Sequence, residues 1–188
     1  MSCVVAVRDK ASVMVGRDSF AGAGDWYETR VNAKVFRLGP LVIGCCGEPR
    51  VSQLVRCCMS WKPSPVGYLD FESFLMTDFI PSLKKLLQDN GCTWREDECG
   101  GETMRTQMVV AWKGDFAVVE GDYQVCLPSN LYSAIGAGAS AALGALHALD
   151  SHGGLSGGNK VRSALEAAEA CCVSVRRPFV LLGTESQS

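Results

Sequence analysis

Histidine is scarce in this sequence, with only His147 and His152 among 188 residues. Cysteine is not scarce, but its ten residues never fall into a C-x-x-C spacing, and six of them form adjacent pairs at 45–46, 57–58 and 171–172. Adjacent side chains point to opposite faces of a strand, or about 100° apart on a helix, and so make a poor chelate. No metal site is expected from that spacing, and no motif implies a cofactor. An excess of either charge is also missing: 18 Lys and Arg stand against 20 Asp and Glu, for a net charge of −2. That balance leaves no basic surface for nucleic acid and no polybasic membrane anchor. No apolar run approaches the roughly 18 residues that would span a bilayer. The apolar opening runs straight into Arg8, Asp9 and Lys10 with no charge ahead of it, unlike a secretory signal. A soluble, cytoplasmic protein is expected, with its thiols reduced and used as small buried hydrophobes.

The chain has 47% hydrophobic and 20% charged residues, with no repeat, low-complexity tract or linker. A single domain over 1–188 is expected, large enough to bury about 70% of its unfolded surface without a staple. Val4–Val7 and Val13–Val15 read as a β-hairpin around a polar turn. Ala21–Asp25 is too glycine-rich for a regular element and reads as a loop. Thr29–Leu38 reads as one strand and Leu41–Cys46 as another, with Gly39-Pro40 turning between them. Val51, Leu54, Val55 and Cys58 recur at helical spacing, stopped by Trp61-Lys62-Pro63. A longer helix is expected over Leu69–Asn90, kinked at Pro81 and ended by Asn90-Gly91. Cys92–Gly101 reads as a polar loop.

Strands are expected at Met104–Trp112, Phe116–Glu120 and Tyr132–Ile135, helices at Ala139–Asp150 and Lys160–Cys172, and a last strand at Phe179–Leu182. Strands and helices come in blocks rather than alternating, which disfavours a parallel doubly wound sheet. Two antiparallel sheets with a pair of helices on each outer side would bury every apolar face.

Ser2 follows the initiator methionine, and removal of Met1 would leave it as the first residue. Such a serine joins a hydroxyl nucleophile to its own base, because an α-amino group titrates near about 7.7–8.0. Taken alone it means little. Its setting is Ser2-Cys3-Val4-Val5-Ala6-Val7, then Gly16-Arg17-Asp18-Ser19, Asn32-Ala33-Lys34-Val35 and Gly44-Cys45-Cys46-Gly47. This series resembles the β-type subunits of the proteasome and the bacterial peptidase HslV, which are N-terminal nucleophile (Ntn) hydrolases. In that family an Asp follows the leading Thr by 16 positions and a Lys by 32; Asp18 and Lys34 hold those offsets from Ser2. Ala134-Ile135-Gly136-Ala137-Gly138 resembles the family's Ile-Gly-Ser-Gly segment.

The resemblance implies an α+β fold of four layers, an αββα sandwich. It implies catalytic roles for Ser2, Asp18 and Lys34, with Gly47 as the oxyanion donor. It also places Cys45 at the primary specificity pocket, as an alternative to plain core packing, and Gly22 where an extended substrate pairs with the backbone. Peptides or unfolded proteins would be the substrates, a homo-oligomeric ring the assembly, and an ATPase unfoldase its feeder. Choosing Cys3 as nucleophile would shift both offsets by one, and Cys3 should point to the other side of its strand. The sequence departs from the family in three places: Ser replaces the leading Thr, Ala137 replaces a serine, and Ala170-Cys171-Cys172-Val173 lacks the family's Asp and Ser. Ser133, Ser140 or Ser174 could stand in for the missing hydroxyls. A non-catalytic ring or shell subunit, or an Ntn amidase for a small molecule, are the alternatives. His147, His152 and Arg176-Arg177 read as surface or packing residues.

Overall fold

The computed structural model describes residues 2–23, 26–31, 33–59, 67–68, 70–95, 101–152 and 154–185. Met1, the Gly24-Asp25 end of the glycine-rich segment, the Trp61–Pro63 stop, Cys99 and the side chain of His152 lie outside the described residues. The first half runs β1 (Cys3–Asp9), β2 (Ser12–Arg17), β3 (Phe20–Ala23), β4 (Trp26–Thr29), β5 (Val35–Leu38) and β6 (Leu41–Gly47). Helices α1 (Pro49–Cys58), α2 (Phe71–Phe74) and α3 (Ile80–Asp89) follow. Then come β7 (Trp94–Arg95), β8 (Glu102–Thr103), β9 (Thr106–Trp112), β10 (Asp115–Val119), β11 (Val125–Cys126) and β12 (Tyr132–Gly136). The chain closes with α4 (Ala139–His152), α5 (Gly157–Cys171) and β13 (Val180–Gly183).

One sheet has the order β12-β1-β2-β13 and the other β11-β10-β9-β6-β5, all pairs antiparallel. Alternation along the strands builds three apolar layers. On β1, Val4 and Ala6 meet Val42, Val109, Ala111 and Phe116 between the sheets. Cys3, Val5 and Val7 face the other way, onto Ala142 and Leu146 of α4 and Val161, Leu165 and Ala168 of α5. On β6, Ile43 and Cys45 point outward onto Leu54, Phe74, Phe79 and Leu83 of the first helical layer. The order is therefore helices, sheet, sheet, helices, as expected.

Several elements differ from the sequence reading. Phe20–Ala23 is not a loop: it pairs with Trp26–Thr29 in a two-stranded ribbon outside both sheets. Thr29–Leu38 is not one strand. The exposed β4 belongs to the ribbon, whereas the buried β5 belongs to the five-stranded sheet. Lys34 lies between them and reaches Ser2, just ahead of β1. The polar Cys92–Gly101 segment contributes β7, paired to β8.

The long helix begins two residues late, because the Asp70 carboxylate accepts the Ser73 N–H at 2.6 Å and caps α2. Pro81 is accommodated by a wide π turn at Leu75–Phe79, in which Ile80 N–H bonds back to Leu75 O. At the far end the amides of Gly91 and Cys92 bond to the carbonyls of Gln88 and Leu87, the double closure expected of Asn90-Gly91.

Candidate active site

Ser2 sits just ahead of β1, and its neighbours come from both sheets and from the β3–β4 ribbon. Its residue is 3% exposed. Strand alternation puts Ser2 on the inter-sheet side with Val4 and Ala6, and Cys3 on the helical side. Asp18 follows β2, which pairs with β1 through Val4 and Arg17. It is fully buried, and both its carboxylate oxygens are occupied: Oδ1 accepts the Cys3 N–H at 2.9 Å and Oδ2 the Phe20 N–H at 2.7 Å.

Lys34, at the entry to β5, completes the cluster. Its Nζ lies 2.5 Å from Ser2 Oγ, 2.6 Å from the Phe20 carbonyl and 3.5 Å from both Asp18 oxygens. Three ammonium protons thus have three destinations: the serine hydroxyl, a backbone carbonyl and the carboxylate. Burial pulls the Lys34 ammonium below its usual range, and the charge of Asp18 partly offsets this. A lysine in that state donates a stronger hydrogen bond to the serine oxygen than an exposed lysine would.

Gly47 ends β6 opposite Thr106, with φ of +134°. A Cβ there would lie 2.2 Å from the Arg105 carbonyl oxygen, so only glycine fits. Two clefts share Ser2 and Gly47. The first, of about 360 Å³, is lined also by Gly22, Ala33, Lys34 and Cys45. The second, of about 430 Å³, runs past Cys46, Glu120, Gly136 and Ala137. All six residues selected from the sequence (Ser2, Asp18, Lys34, Gly47, Gly22 and Cys45) therefore lie in or directly behind one cleft.

The sequence reading missed two contributors. The Phe20 carbonyl holds Lys34, and backbone atoms carry no residue-type signal. Gly136 pairs with Cys3, has φ of +91°, and would place a Cβ 2.3 Å from the Ser2 carbonyl oxygen. Its segment was singled out as a motif, but not its position against Ser2. The Gly138 N–H also faces that carbonyl, at 3.5 Å.

Other candidates stand apart. Ser133 pairs with Ala6 along the ladder, Ser140 is exposed, and Ser174 is buried with its hydroxyl 3.3 Å from Cys172 Sγ. None lines either cleft. His147 meets the Tyr132 hydroxyl at 3.3 Å on an exposed face. Arg177 is a surface cation paired with Glu169 at 2.8 Å. Arg176 is more than a solvated charge: its guanidinium donates to the carbonyls of Glu169, Cys172 and Val175 at the end of α5. Burial pushes the thiols of Cys3 and Cys45 up to about 12, so both are neutral and poor nucleophiles.

No family model and no curated protein matches this chain. Solved structures do. The BPH of Thiobacillus denitrificans in complex with epoxomicin superposes with a TM-score of 0.84 at 19% identity, over 99% of this chain and 100% of that one. The eukaryotic HslV of Trypanosoma brucei gives 0.68 at 18%, over 96% and 98%. The Gly-1 mutant of Anbu from Hyphomicrobium sp. strain MC1 gives 0.68 at 12%, over 96% of this chain and 80% of that one. With two antiparallel sheets between two helical layers and this similarity over nearly its whole length, the chain has the proteasome-type fold of the Ntn hydrolases.

Proposed function

We propose that the chain is a proteasome- or HslV-like peptidase that cleaves peptide bonds with Ser2 as an N-terminal nucleophile once Met1 is removed. The observation that carries this reading is the Lys34 ammonium 2.5 Å from Ser2 Oγ, fixed by a fully buried Asp18 at the mouth of a cleft. The ammonium lowers the proton affinity of the hydroxyl, and the free α-amine of Ser2 takes the proton directly or through a water. Ser2 Oγ then bonds to the amide carbonyl carbon, and the negative oxygen is met by the Gly47 N–H. The amine returns the proton to the leaving nitrogen as the C–N bond breaks, leaving an ester on Ser2. Water adds to that ester, its proton passing to the same amine, and the C–Oγ bond breaks to restore the hydroxyl.

An extended substrate would pair with the backbone at Gly22 in β3, with its side chain at the cleavage point directed toward Cys45 and Ala33. Those two side chains are small and apolar, which suits a medium-sized hydrophobic residue, with Ser52, Gln53 and Arg56 lining the same cleft. A homo-oligomeric ring would confine the cleft to a chamber, and an ATPase unfoldase would feed it.

The test compares wild type with Ser2→Ala on short fluorogenic peptides, alongside the intact mass of each protein. The mature mass should lack Met1, hydrolysis should vanish in the variant, and epoxomicin should block the wild type. Equal rates in both proteins would refute the role of Ser2. The absence of a hydroxyl at Ala137, beside Ser2 in the second cleft, favours a second reading, a non-catalytic ring subunit. Retained Met1 together with no hydrolysis would establish it. Cleavage of small amides but not peptides would point instead to an amidase.

A further inference from the structure

Arg17 is a buried cation that none of the roles above uses. It is 3% exposed and sits at the end of β2, between Val4 of β1 and Val180 of β13. Its guanidinium makes no ion pair among the described residues, because the Asp18 carboxylate is already filled by two backbone amides and Lys34. Instead Arg17 Nη1 donates to the Asp18 carbonyl at 2.8 Å and to Ser19 Oγ at 2.9 Å. Ser19 Oγ donates onward to the Pro178 carbonyl at 2.5 Å, and the Ser19 N–H donates to the Arg176 carbonyl at 2.8 Å. Among the described residues Arg17 Nε has no partner. A buried, incompletely satisfied charge is costly and is weak evidence for stability, which directs attention to its neighbours.

We infer that Arg17 is a positioning residue for the Ser2–Lys34 pair: it clamps the Asp18-Ser19 turn to the Arg176–Pro178 segment. The inference rests on the peptidase reading for its effect on turnover, but not for its effect on Lys34. The clamp keeps Asp18 in register with Cys3 and Phe20, and so holds Lys34 on Ser2 Oγ. Among the described residues, the groups that face Lys34 are Asp18, which stabilises its proton, Arg17, which opposes it, Cys46 and Cys3, whose thiols burial keeps neutral, and Ser2, whose α-amine, once Met1 is removed, opposes it while protonated. The repulsion from Arg17 makes the Lys34 ammonium a better donor to the serine oxygen. Arg17 lines neither cleft, so it has no reason to alter substrate binding.

The experiment labels the lysine ε-carbons with ¹³C, assigns Lys34 by the resonance lost in Lys34→Arg, and follows it by pH titration in wild type, Arg17→Gln and Arg17→Lys. Arg17→Gln should raise the Lys34 titration midpoint, because a charge that opposes the ammonium is removed. Arg17→Lys, which keeps the charge, should leave it closer to wild type than Arg17→Gln does. In peptide turnover, Arg17→Gln should lower kcat roughly tenfold, leave KM within about twofold, and move the alkaline limb to higher pH. An unmoved Lys34 titration in Arg17→Gln would overturn the inference. If that variant does not fold, Arg17→Lys decides: a lowered kcat at unchanged KM supports the clamp, and wild-type kcat overturns it. A shifted Lys34 in a protein with no peptidase activity would remove the peptidase reading and leave the placement of Arg17 standing.

Discussion

Replacing Asp18 by asparagine removes a single charge and keeps the side-chain size. In the native site the carboxylate accepts from Cys3 N–H at 2.9 Å, from Phe20 N–H at 2.7 Å and from Lys34. An asparagine has one acceptor oxygen, so its amide nitrogen must face either a backbone N–H or the ammonium. One buried donor loses its partner, at about 1–3 kcal/mol. Lys34, only 19% exposed at its side chain, loses its counter-charge. Breaking a buried pair on one side costs about 3–5 kcal/mol with the orphaned partner included, and because Lys34 keeps two contacts the low end, about 3 kcal/mol, is expected in total. With unfolding entropy near 2.1 cal/mol/K per residue, 188 residues convert that to a melting-point drop of about 7–8 °C. Thermal and urea unfolding of Asp18→Asn would measure it. The control is Glu28→Gln, which breaks the exposed 2.5 Å pair with Arg30 and should cost less than about 0.5 kcal/mol. The Asp18→Asn/Lys34→Met double variant should lose less than the sum of the singles, by about 1–2 kcal/mol. A drop below about 2 °C for Asp18→Asn, with strict additivity in the double variant, would refute this account of the site.

Gly47→Ala forces a Cβ to within 2.2 Å of the Arg105 carbonyl at a φ of +134°, so a stability loss of about 2–4 kcal/mol is expected from urea unfolding. Unchanged unfolding would contradict it. Cys45→Phe should overfill the floor of the first cleft at about 1–3 kcal/mol and depress turnover of peptides with bulky residues at the cleavage point more than those with alanine. Equal loss on both peptides would remove Cys45 from the specificity pocket. Above pH 9 the unfolded chain sheds thiol protons that Cys3 and Cys45 keep until about 12, so each thiol weakens the fold by up to about 1.4 kcal/mol per pH unit across that window. Lys34 acts in the opposite sense, because its lowered value makes stability rise with pH until the unfolded lysine also loses its proton. The readout is therefore the difference between wild type and Cys45→Ala, whose stability should fall less steeply above pH 9; parallel slopes would refute the burial argument.

The layers of this fold were legible because their signal is local. The β-branched runs of β1 and β2 and the helical spacing of Val51, Leu54 and Val55 each name an element and its buried face. The spacing of Ser2, Asp18 and Lys34 was informative through the resemblance to the proteasome β-type subunits; the β1–β2 pairing accounts for the return of Asp18 to Ser2, whereas Lys34 arrives at the entry to β5 in the other sheet. The ribbon β3–β4 was hidden by its glycines and by a second strand that is exposed throughout, with no alternation to read. The strands β7, β8 and β11 have two residues each and exist only through their partners. Pro81 announced an interruption but not its form, because a wide turn and a kink relieve the same missing N–H. In the site, Phe20 O and Gly136 act through the backbone, which residue identity does not encode.

The β3–β4 ribbon has a mechanical consequence. The peptide unit at Phe20 is tied twice to the reacting cluster, through its N–H to Asp18 and its carbonyl to Lys34. The ribbon that forms one wall of the cleft therefore grows directly out of the hinge that aims the ammonium. A substrate laid along β3, as proposed, would stiffen that root and so narrow the angular play of Lys34 over the serine. On that reading, occupancy of the groove and alignment of the nucleophile would share a single pivot.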